Sequence, residues 1–177
     1  MIVVSKVNAA FVQTGGSCVL ASYAVVHNYF TSLPIHVCFE AYCRHFDLPF
    51  TSWREAEQKY AGHFDNEWRT RNCLGYEVMM DLHSNSSEQE FIEARKHFRS
   101  VLYKYSAPHC NQLEDTLRKQ EAILNITFSI GGDCHSITTF AGSESLFKKD
   151  TNRTELEPMG TLSELGDLRD GLLHVKQ

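Results

Sequence analysis

Cys18 closes a short polar run, Gln13-Thr14-Gly15-Gly16-Ser17, and opens an apolar one, Val19-Leu20-Ala21-Ser22-Tyr23-Ala24-Val25-Val26. A thiol attacks a carbonyl carbon well only as the thiolate, and a free cysteine titrates near about 8.5, so a nucleophilic one needs help. A helix N-terminus offers partial positive charge, and the apolar run predicts a helix that begins at Ser17 or Cys18. A histidinium alongside is the second source of help. His135 is the candidate: it follows Gly131-Gly132-Asp133-Cys134, a turn that leads into a strand and can hold an imidazole at a cleft edge. Asp150, at the end of the next predicted strand, can orient that ring, and Asn152 is the reserve for the same role. Gln13 supplies a side-chain amide that, with the backbone N–H of Cys18, can face an oxyanion. Gly15 and Gly16 let the chain turn between them.

Each of these residues also has a plainer role. A lone helical cysteine packs as a small hydrophobe, Gln13 can be a surface amide, and Asp150 a solvated turn residue. The order Gln, Cys, His, Asp is what argues for one site. A second constellation, His36, Cys38, Cys43 and His45, has zinc-type ligands. Phe39, Tyr42 and Phe46 interleave with them, as in a packed amphipathic helix, and residues two apart on a helix do not face together. Packing is therefore the expectation there, with no metal.

The elements that must position the candidates fall into two parts. Residues 17 to about 120 read mainly as helix. One helix starts at Cys18 and ends between Asn28 and Pro34, and a second follows Pro34. A third opens at the capping box Thr51-Ser52-Trp53-Arg54-Glu55. A short one is predicted over Cys73 to Leu82. A longer one starts at Ser86-Ser87-Glu88, with Phe91, Ala94, Phe98, Val101 and Leu102 as its apolar stripe, and another covers Asn111 to Lys119. From about 121 to 177 the pattern is strand and turn: Ala122–Ile130, His135–Phe140, Leu146–Lys149 and a last short strand at Leu172–Val175. A helical part followed by an antiparallel meander is an α+β domain, and 177 residues suffice for one domain with its own core.

Composition excludes several classes. A net charge of -5 with no Lys/Arg cluster gives nucleic-acid binding no electrostatic footing. No apolar run approaches the roughly 20 residues that span a bilayer. Met1 to Lys6 is too short for the apolar core of a signal peptide, so synthesis into a cytoplasm is expected, with secretion by a signal-independent route left open. The six cysteines are expected to be free thiols in a reducing compartment.

On these residues the chain resembles the papain-like cysteine peptidases. The match consists of Gln13 and Cys18 at the start of a helix, His135 at the head of a strand, and Asp150 on the next. Leu146-Phe147-Lys148-Lys149-Asp150-Thr151-Asn152 is similar to the strand-then-Asp-x-Asn ending of compact bacterial branches, the secreted effector peptidases and bacteriocin-processing peptidases. The resemblance implies a papain-like fold, an N-terminal helical lobe packed on a C-terminal antiparallel sheet. It also implies a Cys18–His135–Asp150 triad with Gln13 at the oxyanion, a protein or peptide substrate, and no metal or organic cofactor. The same triad serves a glutamine deamidase or an acyl or transglutaminase-type transferase. A non-catalytic interaction domain, or a small zinc module on residues 36 to 45, is the reading outside enzymology. Oligomeric state is open.

Overall fold

The helix that carries Cys18 is hydrophobic on every side, and the protein folds around it. In the computed structural model, which describes residues 1–70, 75–105 and 107–177, this helix (α1) runs Cys18–Thr31 and buries Leu20, Tyr23, Ala24, Val25, Val26 and Tyr29 among others. A helix apolar all round belongs inside a core rather than on a surface. It stops where Ser32 enters the left-handed region (φ 60) and returns its N–H to Asn28 O; the Asn28 amide donates to Leu33 O at 2.9 Å, just before Pro34. α2 (His36–His45) turns Val37, Phe39, Ala41 and Tyr42 inward. α3 (Trp53–Thr70) opens where the capping box predicts, with half of that motif present: Glu55 N–H bonds Ser52 Oγ at 3.2 Å, while the Glu55 carboxylate accepts from the Thr51 hydroxyl. α4 covers Gly75–Asn85; its expected start at Cys73 lies outside the described residues. α6 (Ala107–Lys119) follows the short α5 (Gln89–Ala94) after an intervening strand.

That strand corrects the helix expected from Ser86 through Leu102. The helix stops at Ala94, and Phe98–Lys104 is β1, paired antiparallel with the final strand from Phe98↔Lys176 to Lys104↔Asp170. Phe91, Ala94 and Phe98 do all reach the core, which is why a helical stripe fitted them. The break is anchored by Arg95, whose guanidinium donates to His83 O at 2.6 Å and Ser86 O at 3.1 Å.

The remaining strands are β2 (Ala122–Ile130), β3 (Asp133–Ala141), β4 (Leu146–Lys149), β5 (Leu156–Met159) and β6 (Asp167–Lys176). They form one antiparallel sheet in the order β1-β6-β2-β3-β4-β5. β5 has no counterpart in the sequence reading, and β6 is longer than the expected Leu172–Val175. Neighbouring residues go to opposite sides: Ile123 and Leu172 pack with α1 in one cluster, Leu124 and Leu173 with Leu113 and Leu117 of α6 in another. Covered on both faces, β2 is buried without a break from Ala122 to Phe128, Asn125 and Thr127 included. The mixed helix and antiparallel sheet make an α+β domain. Among the described residues no helix is long and apolar enough to cross a membrane, and Cys18, Cys38, Cys43, Cys110 and Cys134 are free thiols.

Candidate active site

α1 docks across β3 through paired hydroxyl contacts. Ser22 Oγ donates to Ser136 O, and Thr138 Oγ1 donates to Ser22 O, each at 3.2 Å. This fixes the second turn of α1 against the middle of β3, and the turn that starts β3 fixes the rest. Ile130 pairs with Asp133, so Gly131 (φ 54) and Gly132 (φ 90) form a two-residue hairpin loop with both φ angles positive, a conformation that favours glycine. Two residues later comes His135, in register with Phe128 and with its ring edge-on to that of Phe128 at 5.7 Å.

Cys18 is the first residue of α1 and is only 7% exposed. Its side chain lies beside the His135 imidazole, near enough to raise the ring's affinity for a proton. His135 Nε2 donates to Asp150 Oδ1 at 3.0 Å, which leaves Nδ1 for the thiol. The His135 and Asp150 side chains are 17% and 21% exposed, so the pair sits at a rim rather than in bulk water. Asp150 immediately follows β4, and its Oδ1 also accepts the Asn152 N–H at 3.0 Å. That turn holds the carboxylate before the imidazole arrives. Asn152 thus supports Asp150 through its backbone, and the bond to His135 belongs to Asp150.

Charge follows this geometry. Burial pulls the His135 imidazole down, but the hydrogen bonds to Asp150 and Cys18 and their negative charge outweigh it and hold the ring up at about 9. Burial likewise pushes the Asp150 carboxyl up, while the bonds from His135 and Asn152 and the charges of His135 and Arg153 bring it below its ordinary value. The result is a cationic ring held between a carboxylate and a sulfur, the setting in which a cysteine acts as a nucleophile.

Gln13 is buried and tied into the same structure. Its Nε2 donates to Gly15 O at 2.6 Å, its Oε1 accepts from the Thr151 hydroxyl, and its backbone N–H donates to Thr151 O at 2.7 Å. Thr151 is the neighbour of Asp150, so the turn that presents the carboxylate also orients the Gln13 amide. One of the two Nε2 hydrogens is used by Gly15. The Cys18 N–H, at the first position of α1, has no intrahelical acceptor.

One residue of the site escaped the sequence reading. Glu57 of α3 has a fully buried side chain, and its Oε1 accepts from Thr14 N–H, from Gly15 N–H at 3.0 Å and from Ser17 Oγ at 3.1 Å. The signal was present: Trp53, Ala56 and Tyr60 make a helical stripe, and Glu57 falls on it. Cys134, the neighbour of His135, is half-buried. Cys38 and Cys43 are packed in the α1-side core, and among the described residues no group of three or more His, Cys, Asp or Glu side chains is arranged to hold a metal.

Against known proteins the sequence matches no family model and no curated relative.

Proposed function

We propose that the chain is a papain-like cysteine peptidase that cleaves peptide bonds through an acyl-enzyme. The observation that carries this reading is the single imidazole bonded to Asp150 at 3.0 Å and raised in proton affinity by the Cys18 side chain beside it. In this mechanism the Cys18 thiolate attacks the substrate carbonyl carbon. A C–S bond forms and the carbonyl electron pair moves onto oxygen, where the Gln13 Nε2 and Cys18 N–H groups receive it. The tetrahedral adduct collapses, the C–N bond breaks, and His135 gives its proton to the departing amine. Water then loses a proton to His135 and attacks the thioester; the C–S bond breaks, releasing the acid and restoring the thiolate. Asp150 stays ionised throughout and keeps the ring aimed at the sulfur.

The test is site-selective labelling. Wild type and Cys18→Ala are treated with iodoacetamide or an epoxide probe at neutral pH and the modified residue is mapped. Cys18 is expected to label ahead of the other thiols. Labelling of Cys18 no faster than Cys38, Cys43 or Cys110 would sink the enzymatic reading. Incubation with a protein substrate then identifies the reaction: new chain termini report a peptidase, whereas a glutamine converted to glutamate in an intact chain reports a deamidase.

A further inference from the structure

The loop from Gln13 to Cys18 is held by a buried side chain of α3. We infer that Glu57 is the positioning residue of the Gln13–Cys18 loop, setting the two donors that face the oxyanion. The inference rests on the hydrolase reading above and adds to it.

Three observations converge on Glu57. First, one carboxylate oxygen gathers two consecutive backbone N–H groups, of Thr14 and Gly15, together with the Ser17 hydroxyl. The peptide units between Gln13 and Cys18 are thereby held at a single point on α3. Gly15 in turn accepts the Gln13 amide through its carbonyl, so the position of that amide depends on where Glu57 holds Gly15. Second, the anchor is itself braced. Glu57 Oε2 pairs with Arg54 Nη1 at 3.3 Å, and the same nitrogen donates to Val12 O at 2.6 Å, just ahead of Gln13. The Arg54 guanidinium lies 3.7 Å from the centre of the Trp53 ring. The loop is also pressed onto α3: a Cβ added to Gly15 would stand 3.3 Å from Glu57 O and 3.4 Å from Ala61 Cβ.

Third, Ser17 occupies the N-cap of α1 yet makes no side-chain cap hydrogen bond. A serine there ordinarily accepts from an N–H of the first turn. Here its hydroxyl is turned away to Glu57, so the first-turn N–H groups beside Cys18 are not occupied by the cap and can serve an anion. A buried carboxylate thus does two jobs at once. It holds the Gln13 amide in place and withdraws the side chain that would compete for the helix amides.

The test sets two probes of the same thiol against each other. Iodoacetamide alkylates sulfur by displacement of iodide and forms no oxyanion. p-Nitrophenyl acetate acylates sulfur through a tetrahedral oxyanion: the C–S bond forms, the ester C–O bond breaks, and p-nitrophenolate leaves. In Glu57→Gln, acylation of Cys18 is expected to slow about 10- to 100-fold through misplacement of the donors, while alkylation changes less than about twofold and the melt stays cooperative. Ser17→Ala, which removes one of the three contacts without disturbing the carboxylate, is expected to show a smaller loss of the same kind, and it decides the matter if Glu57→Gln does not fold. Unchanged acylation in a folded Glu57→Gln, or an equal fall with both probes, overturns the inference. A wild-type Cys18 that reacts selectively with neither probe overturns the hydrolase reading itself and the inference with it.

Discussion

Four buried or half-buried histidines divide into two settings with opposite charge. At the rim of the sheet His135 is held up at about 9, because burial is opposed by Asp150 and Cys18. In the core between α1, α4 and β6 the same side chain is forced the other way. Burial first, then the positive charge of other basic groups, lowers His27 and His83 to about 4 and His174 well below its ordinary value. His174 spends both ring nitrogens on neutral partners, Ser100 Oγ at 2.7 Å and Asn125 Oδ1 at 2.6 Å, and the His83 ring stacks on Phe98 at 4.8 Å. The comparison shows that burial alone makes an imidazole neutral, and that a cationic one inside a protein needs named negative partners.

The largest way to break this contrast is to remove the partner. Asp150→Asn keeps the shape of the site and takes away its charge. Turnover is expected to fall by about 100- to 10,000-fold. The limb of the pH–rate profile that reports loss of the His135 proton, expected near 9 in wild type, is expected to move to lower pH. An unchanged limb would show that Asp150 does not set the charge of the ring.

The two settings also pull stability in opposite directions with pH. For His135 the folded value exceeds the ordinary 6.5, so its contribution is fully present below about 6.5 and is lost as pH rises through about 9. For His27 and His83 the folded value is depressed. The unfolded chain therefore takes up protons that the fold refuses, and stability falls as pH drops from about 6.5 to about 4. Each ring kept neutral costs up to about 3 kcal/mol by the bottom of that window. His27 Nε2 has no hydrogen-bond partner among the described residues, so His27→Leu removes a proton acceptor without orphaning a partner of that nitrogen. Melts across this range are expected to show a shallower acid limb for His27→Leu than for wild type. Identical limbs would remove His27 from the account.

A buried ammonium sharpens the comparison with a smaller effect. Lys149 sits one residue before Asp150 and donates to Ala9 O at 2.5 Å and to Arg153 O. Burial lowers its affinity for a proton and the Asp150 charge partly restores it. Lys149→Met leaves two carbonyls without their donor, and is expected to destabilise by about 1–3 kcal/mol in a denaturant melt. It is also expected to loosen the turn that presents Asp150, seen as a modest drop in Cys18 alkylation rate. A variant as stable as wild type would show that water replaces the ammonium at those carbonyls.

Where the chain is regular it reads plainly. α1 follows from its apolar run, and the Gly131-Gly132 turn and the strands on either side of it follow from period and turn chemistry. The order Gln13, Cys18, His135, Asp150 stands in the sequence, and the structure brings His135 to Asp150 and Gln13 to the residue after it. Three features were not. β1 was hidden because Phe91, Ala94 and Phe98 match helical spacing, and only pairing with β6, more than sixty residues away, makes Phe98–Lys104 a strand. β6 begins Asp167-Leu168-Arg169-Asp170-Gly171, which looks like a turn until β1 and β2 satisfy its backbone on both sides. Glu57 resembles its exposed neighbours Glu55 and Gln58, and its burial depends on a loop forty residues earlier presenting three donors.

The central claim is that one imidazole is cationic at neutral pH because it lies between a sulfur and a carboxylate. Titration of the histidine ring resonances by NMR, with His135→Gln to assign the signal, measures this directly. The account predicts a midpoint near 9 for His135, lowered in Cys18→Ala. A midpoint at or below 6.5, unmoved by Cys18→Ala, would place His135 with the neutral core histidines and contradict it.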